Sequence, residues 1–311
     1  MEIISFSTQE SDWKRPRPGA ILNAEYLIDF SATAKEQPAD PLTWFDLSGR
    51  WFQNAREKWQ ALQNDSGLLA EALAKGWLIP RQHAYWFAPV PRPGKLICIG
   101  LNYRDHAAES NMAIPEQPVV FSKFTTAVIA PGEPVVLPTG STQVDYEAEL
   151  AVVIGRRAKH VSAARAMDYV LGYTCLNDVS ARDFQFADGQ WQRGKSCDTF
   201  APMGPIIVTS DIVTNPHNLS IKLLLNGNTM QDSNTDQFIF QVPELIEFLS
   251  RTITLEPGDV IATGTPPGVG FARKPPVFLQ PDDRMEVVIE KVGWLNNVVA
   301  GAAEAAATTT A

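Results

Sequence analysis

Glu147 and Glu149 stand two residues apart in the run VDYEAELAVVIG. Alternate side chains of a strand point to opposite faces, so this spacing sets two carboxylates side by side on one face. A Glu-x-Glu pair on a strand is commonly no more than a solvated face. Here the run continues Ala148, Leu150, Ala151, Val152, Val153, Ile154, apolar on both faces, where a solvated strand would go on alternating. Charges at the mouth of a buried strand are costly unless they meet a cation or other partners. A helical segment follows, with Ser162 as its cap and Gly172 closing it, and the chain returns through Tyr173–Leu176 to Asn177 and Asp178. That return would bring a third carboxylate to the pair. Three converging carboxylates suit a hard, oxygen-loving divalent ion such as Mg²⁺ or Mn²⁺, with about half of an octahedral shell left for water and substrate.

A second constellation follows the apolar run KLICIG, in LNYRDHAAESNM. Asn102 is a suitable N-cap and Asp105 sits three residues on, as in a capping box with Asp in place of Glu. On such a helix His106 and Glu109 share a face. A carboxylate beside an imidazole fixes its tautomer and raises its basicity, as a general base requires. The same spacing also describes a surface ion pair worth little. Beyond Asp178, Arg182 could clamp a carboxylate bidentately, Gln185 could add an amide donor, and Lys195 could stabilise an enolate or oxyanion. The stretch Gly264–Gly270 (GTPPGVG) reads as a rigid loop of exposed N–H groups suited to a small anion. It lacks the Lys-Ser/Thr pair and following helix of a nucleotide phosphate loop.

The elements that would position these groups are mostly short strands. Ile3–Phe6 and Ala20–Phe30 read as strands around a turn at Pro18–Gly19, while Trp51–Leu62 and Gly67–Lys75 have helical periodicity with a break at Asn64–Ser66. Residues 1–88 form a small α+β accessory domain in this reading, and Ala88–Gly94 (APVPRPG) a linker. Val119–Lys123, Val135–Leu137, Pro202–Thr209, Leu219–Leu225 and Val260–Thr263 are strand candidates, with a turn at Pro131–Gly132. Asn226-Gly227-Asn228 marks a hairpin, Pro243 opens a helix, and Arg284–Ile289 is the last strand. The catalytic unit spans 95–298, and 300–311 is a low-complexity Ala/Thr tail. Many strands, Pro/Gly turns and few helices define a β-rich α+β fold.

With 311 residues, 45% apolar and 20% charged, the chain can bury a large core. A net charge of −9 argues against nucleic acid or an anionic membrane as partner, and no stretch has the apolar length of a membrane span. Acidic residues near the N-terminus speak against a mitochondrial transit peptide. Three cysteines without zinc-ligand spacing fit a reduced, cytoplasmic setting.

From Lys95 to Ile289 the chain resembles the fumarylacetoacetate hydrolase family, in particular its shorter, bacterial-type branch. GLNYRDHAAE, VDYEAELAVVIG, GYTCLNDVSARDFQ, RGKSCDTFAPMGP and DVIATGTPPGVG occur in the family order. The first ninety or so residues more weakly resemble the variable N-terminal domain of longer members. The resemblance implies a mixed β-sandwich roll, a homodimer, and one Mg²⁺ or Mn²⁺ per subunit. It casts Glu147, Glu149 and Asp178 as metal ligands and His106 with Glu109 as the water-activating base on a segment that orders with ligand. Arg182, Gln185, Lys195 and Thr265 fall where members contact the substrate's acidic or oxyanionic end. The longest members add a fourth acidic ligand where this chain has Asn102–Tyr103. The implied activity is hydrolysis of a C–C bond in an acylpyruvate-like or 2,4-diketo acid. Decarboxylation, isomerisation or lyase chemistry on a related 2-oxo acid is the alternative, and a non-catalytic metal-organised binding protein a further one.

Overall fold

The computed structural model describes residues 1–9 and 16–302. Its centre is a mixed sheet in which strand Ala148–Ile154 pairs antiparallel with Val170–Asn177 on one side and Val260–Ala262 on the other. Val260–Ala262 continues the sheet by parallel pairing to Leu96–Gly100, and Val119–Lys123 closes that edge. On the opposite side Val170–Asn177 pairs with Ala201–Thr209. A five-stranded sheet packs against these central strands, with Ser220–Leu225, Arg284–Ile289 and Gly293–Ala300 among its members.

Burial follows the apolar pattern. Every residue of Ala148–Ile154 and Val170–Asn177 is buried, because both faces of these strands are covered. Ser220–Leu225 and Arg284–Ile289 instead bury alternate residues, presenting one face to the core and one to solvent. The β-rich α+β class and the two-sheet packing are as the family resemblance implies.

The amino-terminal strands join this same sheet. Glu2–Ser7 pairs with Ala201–Thr209, placing Ile3 opposite Ile207, and Arg17–Ile21, Tyr26–Asp29 and Leu78–Pro80 follow outward. In the Pro-rich stretch Ala88 and Val90 are buried, and Ser5 Oγ donates to Pro89 O at 2.8 Å.

Several local readings change. Pro18 and Gly19 lie inside strand Arg17–Ile21 instead of forming a turn; a Cβ at Gly19 would stand 2.5 Å from Ile28 O. Gly172 is likewise inside a strand, where a Cβ would meet Val208 O at 2.2 Å, and the preceding helix spans only Ala163–Ala166. Both glycines serve close strand approach, a need that periodicity cannot distinguish from a turn. Helix Arg104–Glu109 is preceded by Tyr103, and Asn102 does not cap it. The Asn102 amide instead donates to Phe240 O and Thr263 O and accepts from Phe240 N, at 3.0, 2.8 and 2.8 Å. Arg284–Ile289 is followed by one more strand, Gly293–Ala300, so Ala300 is not tail; residues 303–311 lie outside the described ones.

Candidate active site and metal centre

The register of the two central strands builds the carboxylate cluster. Ala148 pairs with Asn177, so Glu147, just before one strand, faces Asp178, just after the other. Asp178 N donates to Glu147 O at 2.8 Å, and Glu147 N to Asn177 Oδ1 at 2.9 Å. Glu149 points from the same face of its strand. Oxygens of Glu147, Glu149 and Asp178 all lie within 4.8 Å of one another, and the three residues are 7%, 1% and 0% exposed.

Three cations press on this cluster. Lys195 Nζ donates to Glu147 Oε2 at 2.7 Å and to Asp178 Oδ2 at 2.8 Å. Arg182 Nη2 donates to Glu147 Oε1 at 2.7 Å. Lys123 Nζ donates to Asp178 Oδ1 and, at 2.9 Å, to Val179 O. Burial works against ionised Glu147, yet Lys195 and then Arg182 outweigh it and hold the carboxyl down to about 2. Burial would lower the Lys195 ammonium, but Asp178 and Glu147 overcome this and raise it, so it stays charged. Among the described residues Glu149 has no such partner. It accepts one backbone bond, from Gly264 N at 2.9 Å, and burial together with Asp178 and Glu147 pushes its carboxyl well above the usual range.

This is the donor set a hard divalent cation fits. Four buried carboxyl groups (Asp145, Glu147, Glu149, Asp178) meet three buried cations (Lys123, Arg182, Lys195), and Glu149 is the one left without an ion-pair partner among the described residues. A divalent ion shared by Glu147, Glu149 and Asp178 would supply the missing positive charge through oxygen ligands alone.

The base candidate is organised from the facing loop. His106 is mostly buried on helix Arg104–Glu109, and its Nδ1 lies 3.3 Å from Glu109 Oε2. Both Glu109 oxygens accept from Gly268 N, each at 3.1 Å. The loop read as an anion holder does hold anions, but they are the protein's own carboxylates: Gly264 N serves Glu149, Gly268 N serves Glu109, and Gly270 N serves Asp145. Its glycines are required. Gly268 has φ +99°, and a Cβ there would meet Met230 O at 2.0 Å.

The remaining predicted residues fall into the supporting structure. Arg182 gives Nε and Nη2 to Asp145 Oδ2 at 2.9 and 2.8 Å, and Nη1 to Gln185 Oε1 at 3.0 Å. Thr265 Oγ1 donates to Ala148 O and accepts from Gln231 Nε2, both at 2.9 Å. Thus Arg182 and Lys195 already have carboxylate partners, and Thr265 braces the strand that carries Glu149. Sequence reasoning missed Lys123, Asp145 and Gln231. The cue for Lys123 was the one that marked the glutamates, a charge at the end of a strand with apolar neighbours. Asp145 stood unremarked in the same VDYE run. The Tyr103 hydroxyl is buried with no hydrogen-bond partner among the described residues.

Such a cluster on this two-sheet scaffold could hold a divalent metal ion, and the chain belongs to the fumarylacetoacetate hydrolase family. The family model for the fumarylacetoacetate (FAA) hydrolase C-terminal region matches residues 95–300. Among individual proteins, the chain is 49% identical over 223 residues to oxaloacetate tautomerase Fahd2a, mitochondrial, of Rattus norvegicus, covering 71% of each chain. It is 40% identical over 302 residues to oxaloacetate tautomerase fahd2, mitochondrial, of Xenopus laevis, covering 96% of this chain and 90% of that one. Among solved structures, maleylpyruvate hydrolase from Sphingobium sp. SYK-6 superposes with a TM-score of 0.74 at 32% identity, over 97% of this chain and all of the other. No helix among the described residues is long and apolar enough to cross a membrane.

Proposed function

We propose that this protein catalyses enolisation of a small 2-oxo acid, interconverting the keto and enol forms of an oxaloacetate-like dicarboxylate with Mg²⁺ or Mn²⁺ as cofactor. The observation that carries the reading is a buried carboxylate triad and a His–Glu base held by one loop, Gly264–Gly270. Keto–enol exchange needs a base at the carbon next to the carbonyl and positive charge at the carbonyl oxygen. Glu147, Glu149 and Asp178 would hold the metal, which when bound supplies Lewis-acid polarisation of the 2-oxo group. His106 takes the C3 proton, and Glu109, fixed by Gly268 N, keeps the imidazole in one tautomer and balances the charge it gains. The same imidazolium returns that proton to the enolate oxygen, so a C–H bond is exchanged for an O–H bond and no atom is lost. Lys195, charged and beside the triad, adds positive potential where the enolate forms.

The names of the rat and frog relatives favour tautomerisation of oxaloacetate. The His106–Glu109 pair also favours a second reading, in which the base deprotonates water for hydrolysis of an acylpyruvate-like C–C bond, and the name of the Sphingobium structure accords with that. Three unpaired cysteines among the described residues agree with a reducing compartment.

Oxaloacetate and acetylpyruvate, each assayed with Mn²⁺ and then with EDTA, separate these readings. Metal-dependent decay of the oxaloacetate enol absorbance, with no pyruvate formed and acetylpyruvate intact, is the expected result. Cleavage of acetylpyruvate to acetate and pyruvate overturns it in favour of the hydrolase, and pyruvate from oxaloacetate in favour of a decarboxylase.

A further inference from the structure

Asp145 is fully buried, lies outside the carboxylate triad, and accepts more hydrogen bonds than any of its members. Its Oδ1 takes Tyr146 N at 2.8 Å and Gly270 N at 2.7 Å. Its Oδ2 takes Phe271 N at 3.1 Å and the Nε and Nη2 of Arg182 at 2.9 and 2.8 Å. Strand Val144–Asp145 pairs with Ser180–Ala181, so these contacts join three parts of the chain: the approach to Glu147, the helix after Asp178, and the loop that holds Glu109.

Two rigid connections leave this carboxylate. A guanidinium is planar, so seating its Nε–Nη2 edge on Asp145 fixes the direction in which Nη2 meets Glu147 Oε1. With Lys195 on Oε2, that contact sets the plane of the Glu147 carboxylate. The second connection is the short segment from Gly270 back to Gly268. A Cβ at Gly270 would stand 1.9 Å from Val277 O and 2.6 Å from Asp145 Oδ1, so the backbone there is tightly enclosed. A displacement at Gly270 is therefore passed to Gly268, whose N–H orients Glu109.

We propose that Asp145 is a positioning residue that ties metal ligand Glu147 and the loop orienting Glu109 to one anchor, so that metal occupancy and the order of the 268–271 loop are coupled. The coupling rests on the triad being the metal site. Metal binding draws Glu147 into one orientation, Arg182 follows on its Asp145 seat, and the amides of Gly270 and Phe271 are held more firmly. In the reverse direction, a loop loosened at Asp145 weakens the metal site. A merely structural buried aspartate is available for contrast. Asp259 is also fully buried and pairs with Lys95 at 2.7 Å, but at the far end of strand Val260–Ala262 from the triad.

Amide hydrogen exchange on the unmodified protein, with and without Mn²⁺, is the first test. At least tenfold slower exchange at Gly270 and Phe271 with Mn²⁺ is expected. A protein that takes up no Mn²⁺ refutes the metal reading and the coupling with it. One that binds Mn²⁺ with exchange at Gly270 unchanged refutes the coupling alone. Calorimetric titration of Asp145→Asn should show Mn²⁺ binding weaker by about 10- to 100-fold, the usual effect of removing a partner behind a metal ligand. Asp259→Asn, the same chemical change elsewhere, should lower thermal stability yet keep Mn²⁺ affinity within about threefold. In an Arg182→Gln background, Asp145→Asn should add no further loss of Mn²⁺ affinity while still speeding exchange at Gly270. Fully additive losses would show that Asp145 does not act through Arg182 and would overturn the assignment. Should Asp145→Asn fail to fold, the exchange experiment on the unmodified protein decides alone.

Discussion

Glu149 is the residue on which the charge imbalance of the site rests. Its carboxyl is raised by burial and then by Asp178 and Glu147, so the metal-free folded protein holds a proton that the unfolded chain gives up near the ordinary value of 4.5. The folded state therefore binds more protons, and its stability is greatest below that value and declines as pH rises toward the raised one. Urea titrations between about pH 5 and about pH 8 should show metal-free stability falling with pH relative to the Mn²⁺-saturated protein, a difference in which the opposing contributions of buried His217 and the Met1 amino group cancel. Glu149→Gln, which removes the ionisable group but keeps the shape, should flatten the slope without metal while weakening Mn²⁺ binding about 100-fold or more. A slope that persists in this variant would place its origin elsewhere. Glu109→Gln addresses the base instead. It leaves the triad intact, so turnover should fall by about 10²–10⁴ with Mn²⁺ affinity unchanged in calorimetry.

At the scale of elements, the loop Gly264–Gly270 does the joining. Its amides reach Glu149, Glu109 and Asp145, and Thr265 and Gln231 brace it to the strand carrying Glu149. Gly268→Ala tests that role. Its positive φ alone costs about 1–3 kcal/mol for a residue with a side chain, and the contact with Met230 O adds to that. Chemical denaturation should show a loss of at least about 2 kcal/mol. Activity should fall further than the folded fraction, since the clash with Met230 O displaces the amide that orients Glu109. Loss of stability with full specific activity would show that the loop does not orient the base.

At the scale of the molecule, the first strand, Glu2–Ser7, continues the central sheet by pairing with Ala201–Thr209, and Ile3 and Ile207 are both buried. Deleting residues 1–88 would bare the backbone edge at Ile207–Thr209 together with apolar side chains, the arrangement that invites edge-to-edge association. Size-exclusion chromatography of the truncated protein should show aggregates, and Tm should fall. A soluble, active fragment with unchanged Tm would establish the remainder as an independently folding unit.

Sequence alone carried what depends on local chemistry. The two-residue spacing of Glu147 and Glu149 on a doubly apolar strand announced a buried pair, the three-residue spacing of His106 and Glu109 a shared helix face, and Asn226-Gly227-Asn228 a hairpin, since pleat, helical turn and positive φ are set by neighbouring residues. Only the tertiary structure decided which partners those groups meet. Gly19 and Gly172 look like turn glycines until another strand's carbonyl is found against them. Arg182 looks like a free clamp until Asp145 and Glu147 are seen on its nitrogens, and Asn102 looks like a helix cap until it is found fastening Thr263 and Phe240. These pairings join residues from nine to 161 positions apart, and it is the packing of separate strands and loops in the folded chain that brings them together.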